Sequence, residues 1–398
     1  MRITRMITSL VLAGGIGLIL TGSAPRVSAA GPDPQATAQT LVDQCANIKQ
    51  GDAVLISGTP RDIELLENIA VQVRKAGAFP LITIGSEKLA RRLFDDVPAK
   101  FDAQAPEFEL KLANIITAAI SIESTDNPTA LAGVSPERLA ARAKTAQPVM
   151  DTLLKRNVRQ VSLGNGLYPT AATAKQFGLP QEELSTLFWK AVNTDYSRLQ
   201  NTGDSVRSVL AAGKEIQITN PNGTDLKFRI EKRPVFISDG VISSEDVEKG
   251  GPACQVWLPA GEVYTTAVAG TAEGKVVIDR SFFQGKEITG ITLTFKAGKL
   301  TDMTAKSGLE PLKALYDAAT GDKDAFGLVD IGINESLKIP KDSKLLSWIP
   351  AGMVTIVFGN NTWAGGTNVS SFDWSGFLPG STLKVDGKPL VENGALRL

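Results

Sequence analysis

The apolar positions change rhythm near the middle of the chain. In the first half, short apolar runs closed by glycine alternate with stretches whose apolar residues recur at helical spacing. Residues 52–58, 79–84, 114–122 and 159–163 read as strands, and residues 63–77, 87–93 and 135–154 as helices. Helical patterning continues over residues 181–212, with Pro180 placed to begin it. Strands alternating with helices predict a parallel sheet with helices on its faces, because each parallel crossover lays a helix against the sheet. After Gly213 the period shortens to alternation over 215–219, 225–230, 275–279, 288–295 and 299–304, separated by Asn-Gly, Gly-Lys and Gly-Gly turns, with one helix near 309–319. The expectation is an α/β N-terminal domain over residues 31–212, with a parallel sheet and flanking helices. A mainly antiparallel β (α+β) C-terminal domain follows over 213–398.

The first thirty residues have a different pattern. Arg2 and Arg5 precede an apolar run over residues 6–20, and small residues follow, ending Val27-Ser28-Ala29-Ala30. This is the three-part layout of a secretory signal peptide over residues 1–30, and it predicts export to the periplasm or the exterior. An uncleaved membrane anchor is the competing reading, weakened by a short apolar run that glycine interrupts and by Pro25 close behind it. Lys plus Arg and Asp plus Glu number 42 each, so losing Arg2, Arg5 and Arg26 with the leader leaves a net charge of −3. That balance gives no attraction to nucleic acid or, after cleavage, to an anionic membrane. Apolar residues at 43% and charged residues at 21% are globular values and argue against a disordered chain.

The chain contains no histidine. This removes a Ser-His-Asp triad, a Cys-His pair and any histidine general base. No phosphate-binding glycine loop or G-x-S-x-G elbow is present, so the alternating first half is no argument for a nucleotide. Cys45 and Cys254 read as two buried, small apolar side chains, with a disulfide as the alternative in an oxidising compartment.

Several segments in order resemble the thermophilic aminopeptidase family of metallopeptidases. They are Leu41-Val-Asp-Gln-Cys45 with Ile48-Lys-Gln-Gly-Asp52; Asp126-Asn-Pro-Thr-Ala-Leu-Ala-Gly-Val-Ser-Pro-Glu-Arg-Leu139; Leu167-Tyr-Pro-Thr170; Leu258-Pro-Ala-Gly-Glu-Val-Tyr-Thr265; Asp330-Ile-Gly-Ile-Asn334; and Gly359-Asn-Asn361 with Gly365-Gly-Thr367. The resemblance runs from about residue 36 to the C-terminus. Each piece also has a purely local meaning: Asn127-Pro128 starts a turn, and Ser135-Pro136-Glu137 caps a helix.

The resemblance implies two divalent cations held by two glutamates, two histidines, an aspartate and a tyrosine, which would polarise a peptide carbonyl and activate a bridging water. Glu262 falls on the first glutamate. Asp330 stands at the second, one methylene shorter. Thr355 occupies the first histidine position. For the second histidine and the aspartate two registers remain: Asp373 with Ser375, or Ser371 with Asp373. The tyrosine position falls among Asn360, Asn361 and Thr362. Glu262 and Asp330 are therefore the catalytic candidates, and Glu262, Asp330 and Asp373 the metal candidates. Such an oxygen-only set suits one hard ion, Mg, Mn or Ca, and not a two-metal zinc or cobalt site.

Three functions compete on this evidence. The first is an exported aminopeptidase homologue with a degraded dinuclear site, weakly active or non-catalytic and binding peptide-like or small-molecule ligands. The second is an active aminopeptidase with a remodelled oxygen-ligand metal site. The third, a hydrolase or lyase using carboxylates alone, has no positive support. Family analogy adds a homodimer.

Overall fold

The computed structural model describes residues 33–398, so the leader assigned to residues 1–30 lies outside it. The chain opens with α1 (Pro34–Gln39), continued by a wider π-type stretch over Thr40–Cys45. There follow β1 (Ala53–Gly58), α2 (Ile63–Lys75), β2 (Phe79–Ile84), α3 (Glu87–Asp95), α4 (Glu107–Ala113), β3 (Ala118–Ile122), α5 (Pro136–Lys155) and β4 (Arg159–Leu163). Next come α6 (Ala171–Phe177), α7 (Gln181–Val192), α8 (Tyr196–Ala212), β5 (Glu215–Asn220), β6 (Thr224–Arg229), β7 (Val235–Ser238), α9 (Ser244–Lys249), β8 (Gln255–Leu258) and β9 (Glu262–Thr266). The remainder is β10 (Glu273–Phe283), β11 (Lys286–Lys296), β12 (Lys299–Thr304), α10 (Glu310–Ala318), β13 (Phe326–Gly332), β14 (Val354–Gly359), β15 (Asp373–Phe377), β16 (Thr382–Val385), β17 (Lys388–Glu392) and β18 (Ala395–Leu396).

The strands form three sheets. The first, in the order β2-β1-β3-β4-β8, is parallel throughout. The second, β12-β11-β10-β6-β5-β16-β17-β18, and the third, β15-β14-β13-β9-β7, are antiparallel. The alternating first half and the hairpin-rich second half thus take the layouts their patterns predict. One strand crosses between them: β8 comes from beyond Gly213 yet completes the parallel sheet beside β4, pairing Ser162 with Trp257 and Leu163 with Leu258. All four of its residues are buried, so the chain returns from the antiparallel half to form a buried edge of the first sheet.

Local chemistry explains most boundaries. On α2 the residues Leu65, Leu66, Ile69 and Val73 are buried along one stripe, each contributing about 1.5–3 kcal/mol by leaving water. Ser135 caps α5 by accepting from the Arg138 amide, with Pro136 in the first turn, where its missing N–H costs nothing. The helical stretch expected over 181–212 divides in two because Asp195 leaves the helical conformation to cap α8, its Oδ1 accepting from the Arg198 amide at 3.1 Å. The strand expected over 114–122 begins only at Ala118, because Asn114 closes α4 through its amide to the Leu110 carbonyl at 3.1 Å.

A continuous apolar core links the three sheets. A smaller cluster of Leu55, Ala113, Ile116, Val149, Leu153 and Val158 lies between the parallel sheet and α5. Cys45 and Cys254 are both buried free thiols. Among the described residues no helix is long and apolar enough to cross a membrane.

Candidate functional site

The loop from β8 to β9 sets the position of Glu262. It runs through Leu258-Pro259, a cis peptide, to Gly261 at φ +132°, where a Cβ would come within 2.6 Å of the Asn334 Cβ. Only glycine fits there. Asn334 in turn donates to the Ala260 carbonyl at 2.6 Å and to the Ala191 carbonyl at 3.2 Å. The two segments Leu258–Thr265 and Asp330–Asn334, separate in sequence, thus hold each other in place. Asn165, in the left-handed conformation at φ +44° just past β4, donates from Nδ2 to Glu262 Oε1 at 2.7 Å and to the Pro259 carbonyl at 3.2 Å.

Residues that face each other across an antiparallel pair project to the same side, as do residues two apart on one strand. Register therefore gathers the sequence candidates on one face of the third sheet. Glu262 pairs with Ser238 across β7, and Tyr264, two residues on, pairs with Asp330. Asp330 pairs with Thr355, and Val357, two residues further on that strand, pairs with Ser375. Asp373 lies two residues before Ser375 on the same face. Ser371 precedes the strand, where its hydroxyl accepts from the Thr320 amide at 3.0 Å.

Sharing a face does not make these groups equivalent. Glu262, Asp330 and Thr355 are each 0% exposed, whereas Asp373 is half-buried. The space over Tyr264 is filled by rings: Phe236, Trp257 and Trp363 stand 5.7, 6.0 and 5.8 Å from it, centroid to centroid. The Thr355 hydroxyl is buried with no hydrogen-bond partner among the described residues. Among the described residues no three His, Cys, Asp or Glu side chains form a group able to hold a metal ion.

The positions read as successors of a tyrosine have structural engagements. Asn360 donates to Gln147 Oε1 at 2.7 Å, and Gln147 donates to Thr362 Oγ1 at 3.0 Å, tying the turn after β14 to α5. Asn361 donates to the Gly327 carbonyl at 3.0 Å and accepts from the Asn368 amide at 2.9 Å. A Cβ on Gly366 would sit 2.1 Å from Asn361 Cγ, which accounts for the second glycine of that pair.

A cavity of about 970 Å³ opens between the parallel sheet, α5 and α10. Asp373 and Ser371 border it, while Glu262, Asp330 and Thr355 do not. Behind Thr59 and Ser124, which border it, Asp62 at 4% exposure accepts from the Thr59 amide and hydroxyl and from the Ser124 hydroxyl at 2.6 Å. Burial pushes its carboxyl above the usual carboxylate range against these bonds. Sequence reading missed Asn165, Gln147 and this cavity. The Gly164-Asn165-Gly166 turn at the carboxyl end of a parallel strand was the available signal for the first.

Comparison with known proteins adds the following. The thermophilic metalloprotease (M29) family profile matches residues 33–324. Aminopeptidase AmpS of Bacillus subtilis is 25% identical over 308 residues, covering 71% of this chain and 73% of that protein. Aminopeptidase T of Thermus thermophilus is 23% identical over 303 residues, 69% of this chain and 71% of that protein. Among solved structures, wild-type AmpT from Thermus thermophilus superposes with a TM-score of 0.68 at 21% identity, covering 92% of this chain and 99% of its own. A 2,5-dihydroxypyridine dioxygenase from Pseudomonas putida KT2440 shares the fold at a TM-score of 0.58 and 11% identity, over 94% of this chain and 98% of its own.

Proposed function

The chain belongs to the thermophilic metalloprotease (M29) family, and from that membership we propose an exported aminopeptidase homologue with a degraded two-cation centre. In this reading it is weakly active or non-catalytic and binds peptide-like ligands. The observation that carries it is the state of the inherited carboxylates. Glu262 and Asp330 are wholly buried beside Thr355, next to packed aromatic rings, in a chain without histidine. A catalytic cation must meet both water and a substrate carbonyl, and none of these three positions borders the large cavity.

Donor chemistry supports the same conclusion. Glu262, Asp330 and Asp373 would supply only anionic oxygen, which does not suit a zinc or cobalt pair, and the Thr355 hydroxyl is a poor substitute for an imidazole nitrogen. The family profile covers Glu262 but ends at residue 324, before Asp330, Thr355 and Asp373. The likeness to AmpT nevertheless covers 92% of the chain. A scaffold that persists beyond the matched sequence is what loss of the centre without loss of the fold would leave.

The competing reading is an active aminopeptidase with one hard ion, Mg, Mn or Ca, on Glu262 and Asp330. It draws support from their shared face on neighbouring strands. Peptide hydrolysis by the Glu262→Ala variant separates the two. Activity equal to the parent protein's supports the non-catalytic reading, and abolition of a measurable parent activity supports the other. Export rests on the leader pattern, and cell fractionation with and without residues 1–30 tests it. The homodimer rests on family analogy and is tested by sedimentation.

A further inference from the structure

A parallel sheet is ordinarily covered on both faces by large apolar side chains. One face of the first sheet departs from this. Register aligns Ser57, Ser121 and Ser162 across β1, β3 and β4, and two residues earlier it aligns Leu55, Ala119 and Gln160. Leu55 packs against Val149 and Leu153 of α5, but three serines and an alanine on the same face leave space beside it, and the cavity of about 970 Å³ lies there. Ser121 and Ser162 satisfy each other through their hydroxyls at 2.8 Å. Gln160 borders the cavity at 2% exposure, and its Nε2 has no hydrogen-bond partner among the described residues. A buried donor left unpaired costs about 1–3 kcal/mol, so folded proteins rarely keep one without a use for it.

We infer that this chamber is a binding site for an apolar ligand carrying an uncharged amide, with Gln160 Nε2 donating to the ligand's carbonyl oxygen. Its volume is at the upper end of the range of about 300–1,000 Å³ typical of small-molecule sites. Its walls are apolar, with Val149, Met150 and Leu153 from α5, Leu312 from α10 and Phe283 from β10. At its border Phe101 and Phe108 remain 48% and 64% exposed, an apolar approach for such a ligand. Charge selects the head group. Glu87, Glu107, Glu109, Glu123 and Asp373 border the chamber against Lys111, and Arg142 is tied to Asp102 at 2.7 Å. A carboxylate head would meet like charge, whereas an amide is neutral and complements a carboxamide in both donor and acceptor. Of the three metal candidates Asp373 alone borders the chamber, and the hydrogen bond from Gln160 Nε2 does not involve it.

A hydrophobic peptide and a fatty-acyl amide share this chemistry. Calorimetric titration of the purified protein with octanamide, N-acetyl-leucyl-leucinamide and octanoate separates them. The expected result is saturable binding of at least one amide, with octanoate about tenfold weaker or more. Binding of the dipeptide amide alone identifies a peptide ligand, and binding of octanamide alone an acyl amide. Gln160→Leu, which keeps the volume and removes the donor, weakens the bound amide by about tenfold, the loss of one buried hydrogen bond. It leaves thermal stability equal or higher, because the unpaired donor is gone. Ala119→Met, which fills the chamber, weakens every probe. No saturable binding of either amide at millimolar concentration overturns the inference. So does octanoate binding as tightly as the amides, or Gln160→Leu binding them unchanged.

Discussion

Asn165 donates a hydrogen bond to the buried Glu262, and replacing it tests how that side chain is held. Asn165→Gly tolerates the φ of +44° but removes two bonds, one of them to a charged oxygen at 2.7 Å. About 3 kcal/mol of stability should go with them. Asn165→Ala loses about 1 kcal/mol more, because alanine resists the left-handed conformation. Asn165→Asp is the decisive variant. Two carboxylates about 3 Å apart repel by about 5 kcal/mol at an effective dielectric near 20, so this variant should be the least stable at pH 7. Urea unfolding followed by tryptophan fluorescence measures the series at pH 7. If Asn165→Asp is as stable as the parent at pH 7, Glu262 does not depend on a hydrogen-bond donor at position 165, and the reasoning fails.

Three further outcomes are expected. Burial pushes the Asp239 carboxyl up to about 6 from an ordinary value near 3.8, so its folded form holds a proton more tightly than its unfolded form. The stability it confers is then present below pH 4 and lost as pH rises through 6. Asp239→Asn should gain up to about 3 kcal/mol at pH 7 and almost nothing at pH 4, by denaturant titration at both pH values. Gly261→Ala meets Asn334 backbone and Cβ atoms within 3.0 Å at a φ that alanine resists; a loss of more than about 3 kcal/mol or failure to fold is expected, and near-parent stability would refute the packing of the two motifs. Burial pushes the Cys45 thiol up to about 12 and the Cys254 thiol up to about 11. A thiol reagent should therefore label neither in the folded protein and both after unfolding, whereas no labelling after unfolding would reveal a disulfide.

Where local pattern determines structure, the sequence was readable. The run Phe79–Ile84 is a strand with the bounds its apolar run before Gly85 predicts, and Ser135-Pro136 begins a helix because capping chemistry is written in adjacent residues. What depends on distant partners was hidden. Nothing near Gln255 announces that it pairs with Gln160, nearly a hundred positions away, to complete a parallel sheet. Glu262 was legible through its Pro-Ala-Gly-Glu turn, but its donor Asn165 was not, since a single asparagine between glycines reads first as a turn. Gln160 was invisible for a related reason: a polar residue in an alternating strand reads as facing water, and only the packed structure places it at a cavity wall. The shared face of Glu262, Asp330, Thr355 and Asp373 follows from registers among four strands that no periodicity encodes.

The central claim is that the peptidase scaffold persists without its two-metal chemistry. Its most direct test is one preparation, purified without chelator, on which bound metal is quantified and release of N-terminal residues from peptides is followed with and without added manganese, cobalt or zinc. The account predicts metal well below one equivalent and no metal-dependent release above that of Glu262→Ala. One or two equivalents of metal, with metal-dependent release that Glu262→Ala abolishes, would contradict it.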